Sequence, residues 1–151
     1  DLGQSCKAGT VKERIQGTPD YIAPEQVHRR EITPKTDVFN FGATMYFLLT
    51  GQKVPTAMAA GGDSLTGALQ DSRIARARPV KELRPDVPEK LGELVMQCVE
   101  VDPDQRPEMS AVVSRLDLVL GMARAQAAGK SGGKGASRSA SASGAWPTGG
   151  K

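Results

Sequence analysis

Apolar residues recur at spacings of three and four along three stretches of this chain, and no stretch alternates at period two for long enough to read as a strand. Val38, Phe39, Phe41, Met45, Tyr46, Leu48 and Leu49 predict a helix from Lys35 to Leu49, with Gly51 just beyond its end as the stop residue. These positions wrap most of the way round a helical wheel, so the helix has to be covered by neighbours on nearly all sides. Leu91, Leu94, Val95 and Cys98 follow Pro88 and predict an amphipathic helix over Glu89 to Val99, which the turn Asp102-Pro103-Asp104 ends. Val112, Val113, Leu116, Val119 and Leu120 form the apolar stripe of a final helix from Met109 to Ala127. A weaker helical pattern spans Leu65 to Ala77, after a Gly61-Gly62 break. The expected fold class is mainly α, without an internal repeat.

The two ends have a different character. From Asp1 to Arg30 no periodicity is sustained, and Gly3, Gly9, Gly17, Pro19 and Pro24 mark an extended loop. A loop of that length in a compact domain is usually functional or disordered. From Gly129 to Lys151 the chain is Gly, Ser, Ala and scattered Lys or Arg, with Trp146 as its one large apolar residue. Such a segment cannot bury enough surface to offset its ordering entropy, so residues 129–151 read as a disordered tail and residues 1–128 as the folded part.

Charge supports that division. The whole chain has 20 basic and 17 acidic residues, but Lys130, Lys134, Arg138 and Lys151 all lie in the tail, which has no acid. Without them 16 basic residues face 17 acidic ones, a body near neutrality, which argues against a fold that binds nucleic acid through a structured basic face. Cys6 and Cys98 are far apart and His28 is the single histidine, which excludes a structural zinc site and a disulfide scaffold. The densest apolar stretch, Phe39 to Leu49, is broken by Asn40, Gly42 and Thr44 and is too short to span a bilayer. With no secretory signal at the N-terminus, the chain reads as soluble and cytoplasmic. Its start at Asp1 rather than Met reads as a piece of something longer.

Four segments carry candidate chemistry: DLG at Asp1 to Gly3, GTPDYIAPEQ at Gly17 to Gln26, DVFNFGATMYFLLTG at Asp37 to Gly51, and DPDQRP at Asp102 to Pro107. In this order and at these intervals they resemble the later part of a protein kinase domain of the Ser/Thr type, most similar to bacterial members of that family. The resemblance covers nearly all of Asp1 to Leu120. It implies a partial kinase C-lobe, the activation segment plus the later C-lobe helices, with the N-lobe absent.

The resemblance also assigns roles. A kinase needs a carboxylate on the Mg²⁺ that bridges the ATP phosphates, and Asp1 occupies that position, with Leu2 in place of the commoner Phe. Thr18 matches the hydroxyl that helps hold the catalytic carboxylate, and Tyr21 and Pro24 match residues that fix its loop. Glu25 and Arg106 match a structural pair of acid and guanidinium. Asp37 matches the acid that accepts hydrogen bonds from the catalytic-loop backbone; by itself it also reads as a first-turn acid placed by the helix dipole. Phe39 and Asn40 stand where the family frequently has Trp and Ser. Thr10, eight residues before Thr18, and Ser5 are candidate phosphorylation sites, where added charge could be gripped by an Arg cluster.

What the chain lacks bounds its function. It contains no GxGxxG loop on flanking strands, no VAIK-type lysine and no HRDxxxxN catalytic loop. The resemblance implies a parent that transfers the ATP γ-phosphoryl group to protein Ser or Thr, with ATP and Mg²⁺ as cofactors and a protein as substrate. The isolated chain is expected to need the missing part of the domain as its partner, to bind neither cofactor and to be inactive. The alternative is a non-catalytic kinase-like binding module or a truncated kinase fragment.

Overall fold

The computed structural model describes residues 5–14, 17–57 and 71–132. Among the described residues five α-helices lie in this order: α1 (Pro24–Val27), α2 (Pro34–Thr50), α3 (Val80–Leu83), α4 (Glu89–Cys98) and α5 (Met109–Gly132). Short 3-10 turns at Pro19–Tyr21, Asp71–Arg73 and Pro103–Gln105 connect them. The described residues form no strand beyond an isolated antiparallel bridge between Thr10 and Ile32. The fold is mainly α, consistent with the C-lobe of a protein kinase. The chain divides into two units, Asp1–Val119 and Leu120–Lys151.

In the first unit α2 is the axis of the core. Pro34 at its first position presets φ for a helix, and Thr33 caps it, its hydroxyl accepting from the Lys35 N–H at 3.3 Å. Gly51 closes it at φ 69°, a left-handed conformation that glycine adopts without strain. Phe39, Ala43 and Tyr46 pack with Val80, Val87, Val95 and Val99 in the main apolar cluster, and Val38 packs with Leu94, Cys98 and Val112 in a second. The Tyr46 hydroxyl donates to the Arg78 carbonyl at 2.9 Å, holding the segment before α3 on the core. Gly42 is where α2 meets α4 most closely: a Cβ there would stand 2.5 Å from Cys98 Cβ and 2.9 Å from Val99 Cγ1.

Three details differ from the pattern along the sequence. Phe47 and Leu48 of α2 are exposed, so the described elements leave one side of this helix uncovered. Within the weak helical pattern at Leu65 to Ala77, residues 65–70 lie outside the described residues, Asp71–Arg73 form a 3-10 turn, and Ile74 to Ala77 are not helical. In α5 the buried residues are Val112 and Val119, with Leu116 half-buried between them, whereas Val113 and Leu120 are exposed. Helix α5 also continues through Gly129 to Gly132, past the point where composition predicts disorder; the tail from residue 133 on lies outside the described residues.

Candidate functional site

The loop before α2 is built to bring an acid inward. Pro24 starts α1 after Ala23, whose N–H donates to Gln26 Oε1 at 3.1 Å, and Glu25 turns into the protein with 3% of its side chain exposed. The carboxylate meets Arg106, 81 residues later, in a bidentate pair: Nη1 to Oε1 at 2.7 Å and Nη2 to Oε2 at 2.9 Å. The remaining guanidinium hydrogens go to the carbonyls of Lys35 (2.9 Å, from Nη1), Val101 (3.0 Å, from Nη2) and Glu100 (2.7 Å, from Nε). All five donors of a fully buried arginine are therefore used, which is the condition for burying that charge without a large penalty. The guanidinium carbon also sits 4.9 Å from the centre of the Phe39 ring, a cation–π contact.

Helix α2 contributes on both flanks. The Thr36 hydroxyl donates to Glu25 Oε1 at 2.8 Å and accepts from the Thr33 N–H at 3.3 Å. Lys35 Nζ donates to the Arg106 carbonyl at 2.6 Å and pairs with Glu108 at 2.8 Å. Burial pushes the Glu25 carboxyl up, but the hydrogen bonds and charge of Arg106, helped by its own backbone N–H and Thr36, prevail and hold it below its ordinary 4.5. Thr36 and Lys35 are the participants that motif matching passed over. The Thr33-x-x-Thr36 spacing, a relative of the capping box, was the signal for Thr36.

On the other side of the same helix turn lies a polar groove of about 460 Å³, lined by Ser5, Cys6, Lys12, Thr36, Asp37 and Asn40 among others. Asp37 is exposed there, in the first turn of α2 behind the Thr33 cap. Asn40 Oδ1 is buried and, among the described residues, accepts no hydrogen bond. Thr18 is exposed at the entry to the Pro19–Tyr21 turn; its carbonyl accepts from the Tyr21 N–H at 3.0 Å, and its hydroxyl makes no capping bond. Tyr21 packs edge-on against Phe47. Thr10 is half-buried and held by its backbone: Ile32 N–H donates to its carbonyl at 2.9 Å, and the neighbouring Gly9 N–H donates to the Ile32 carbonyl at 2.8 Å. Ser5 is exposed. Asp1 lies outside the described residues. The structure thus brings together Glu25, Arg106 and the start of α2, and leaves Thr18 apart from them at the surface.

Comparison with known proteins agrees with this arrangement. The protein kinase domain family matches residues 1–116, and the chain belongs to it. A mitogen-activated protein kinase kinase kinase 7-like protein of Drosophila melanogaster is 29% identical over 112 residues, covering 74% of this chain and 28% of that protein. PTI1-like tyrosine-protein kinase 3 of Arabidopsis thaliana is 35% identical over 115 residues, covering 71% and 28%. A serine/threonine-protein kinase of Clostridium acetobutylicum is 29% identical over 97 residues, covering 64% and 14%. The chain spans less than a third of the length of each of these relatives. No helix among the described residues is long and apolar enough to cross a membrane.

Proposed function

We propose that this chain is the later, helical portion of a Ser/Thr protein kinase domain, and that the intact domain transfers the γ-phosphoryl group of ATP to a protein hydroxyl. The observation that carries this reading is the Glu25–Arg106 knot, because it ties the segment at Gly17–Gln26 to the start of α2 and to the DPDQRP turn. Residues 1–128 are then the kinase portion and residues 129–151 a tail. In the intact domain Asp1 holds Mg²⁺ on the ATP phosphates, Thr18 supports the catalytic carboxylate and Asp37 receives the catalytic-loop backbone in the polar groove. Thr18 within GTPDYIAPE favours Ser/Thr over Tyr as the acceptor. Thr10 and then Ser5 are the positions for activating phosphate, and the cytoplasm, where ATP is held, is the compartment this function calls for.

The chain by itself is expected to bind neither ATP nor Mg²⁺. The motif supplies one ligand, Asp1, and Mg²⁺ is usually bound through one or two carboxylates together with substrate phosphates. Calorimetric titration with ATP·Mg²⁺ and a phosphate-transfer assay, run on this chain and on the gene product with its upstream sequence, test the proposal. The chain alone should neither bind nor turn over, and the longer product should phosphorylate Ser or Thr and lose that activity on Asp1→Ala. Micromolar binding or turnover by the chain alone overturns the partial-domain reading, and phosphotyrosine as the product overturns the acceptor. A longer product that also lacks HRD and VAIK segments favours a non-catalytic binding module.

A further inference from the structure

Apolar residues of α5 stand on several faces, of which the first unit covers one, and Leu118 and Met122 are exposed. Val112 and Val119 are buried, with Leu116 half-buried beside them. Beside that face runs a line of Met109, Val113, Leu116, Leu120, Ala123 and Ala127, spaced four, three, four, three and four, which shares Leu116 with the core. That is the a/d seam of a coiled coil sustained over six positions, with Val113, Leu120 and Ala127 at a and Met109, Leu116 and Ala123 at d. Val113 is 53% and Leu120 46% exposed, and every residue from Leu120 to Ala128 is exposed. An isolated helix end of this length is marginal in water without a partner for its apolar face.

We propose that this seam is a homodimer interface on which the α5 helix of a second copy packs antiparallel. The charges select that arrangement. Asp117 and Arg124 occupy the e positions, both are exposed, and neither has an ion pair among the described residues. Antiparallel helices set e against e. With Leu120 opposite Ala123 of the second copy, Asp117 faces Arg124 and, by the two-fold symmetry, Arg124 faces Asp117. The same register sets Leu116 opposite Ala127, so the apolar layers between residues 116 and 127 each join a large residue to a small one; the helices overlap across residues 111–132, with Val113 opposite Lys130 and Met109 beyond the overlap. Sliding by one heptad either way brings Asp117 onto Asp117 or Arg124 onto Arg124. A parallel pair would set Asp117 and Arg124 against Val112 and Val119 and stack Ala123 on Ala123, with no charge pair and an underfilled layer.

Sedimentation equilibrium of the 151-residue chain over a concentration series tests this, with circular dichroism to verify the helix in each variant. The wild-type chain should dimerise and Leu120→Glu should leave it monomeric. Asp117→Arg or Arg124→Asp alone should weaken the dimer about tenfold by turning two attractive pairs repulsive. The double swap should restore it. In a Cys6→Ser background, Ala127→Cys should form no disulfide with its own counterpart, because the antiparallel register offsets the two positions by about 16 Å along the axis. A monomer throughout, an association indifferent to Leu120→Glu, a double swap no tighter than the singles, or rapid self-linkage at position 127 overturns the proposal. Association through Phe47 and Leu48 of α2 would ignore the charge swap and counts against it. The inference does not depend on the kinase reading.

Discussion

At the start of α2, Thr36 turns into the Glu25–Arg106 knot while Asp37 and Asn40 line the polar groove, and the two sides satisfy their polar atoms very differently. In the knot five guanidinium donors, both carboxylate oxygens and the Thr36 hydroxyl all have partners within 3.0 Å, drawn from α1, α2 and the approach to α5. In the groove an exposed carboxylate shares the lining with Asn40 Oδ1, which is buried and, among the described residues, accepts no hydrogen bond. Buried polar groups are nearly always paired, and an exception calls for a reason. The knot is complete within this chain, and it stabilises. In the groove the Asp37 carboxylate is left to solvent, and Asn40 Oδ1 is a buried acceptor that nothing among the described residues meets.

The largest expected effect tests the completeness of the knot. Arg106→Ala leaves Glu25 buried without its cation, and breaking a buried pair on one side typically costs about 3 to 5 kcal/mol. Urea denaturation should show that loss, whereas Lys90→Ala, which removes an exposed pair with Glu93, should barely move the transition. The same pair sets an acid limb. Because the folded state holds the Glu25 carboxyl below its ordinary 4.5, its contribution is present above that pH and is lost as pH falls through the folded value. Melting temperature followed from pH 6 downward should therefore fall below about pH 4.5. Glu25→Gln should start lower at neutral pH and flatten the decline, and an equal slope in both proteins would place the acid sensitivity elsewhere.

Two smaller changes probe the scaffold that separates knot from groove. Gly42→Ala puts a methyl into the 2.5 Å approach to Cys98, and overpacking of this kind costs about 1 to 3 kcal/mol even though alanine is the better helix former. The Cys98 thiol there is pushed by burial up to about 11, with Arg115 and Arg106 opposing, so it should resist alkylation until the protein unfolds while exposed Cys6 reacts. Faster labelling of Cys98 in Gly42→Ala would show that α2 and α4 have parted. Arg29 works in the other direction. It sits at φ 52° after α1, with Arg30 N–H closing onto the Glu25 carbonyl at 2.8 Å, a glycine position filled by arginine. Arg29→Gly should raise stability by up to about 1 kcal/mol.

Much of the fold was legible because its helices are bounded by strong local signals. Pro34 and Gly51 bracket α2, Pro88 opens α4, and stripes at three and four mark what is buried. The same periodicity was ambiguous in α5, where Val112, Val113, Leu116, Val119 and Leu120 read as one stripe but divide into a buried edge and an exposed one. A helix pattern gives the apolar arc without saying how much of it a neighbour covers. Gly42 offered no period at all, since its importance lies in a contact with α4 some 56 positions away. Of the site, the residue types at Glu25, Asp37 and Arg106 were visible, but Lys35 was not, because it enters through its carbonyl and an ammonium that any lysine has.

The smallest expected effect discriminates best between the two sides of α2. In this chain Asp37 is exposed, and surface substitutions away from special features usually change stability by no more than about 0.5 kcal/mol, so Asp37→Ala should scarcely shift the urea midpoint. Asn40→Ala removes a buried acceptor that has no partner among the described residues, and should likewise be close to neutral. Both changes should behave otherwise in the longer gene product if the groove receives a catalytic-loop backbone, because the docked N–H groups would then lose their acceptors. Stability and phosphate transfer should fall together there, by more than in the chain alone. If Asp37→Ala destabilises this chain as strongly as Arg106→Ala, the groove is already engaged within these residues and the contrast between the two sides of α2 fails.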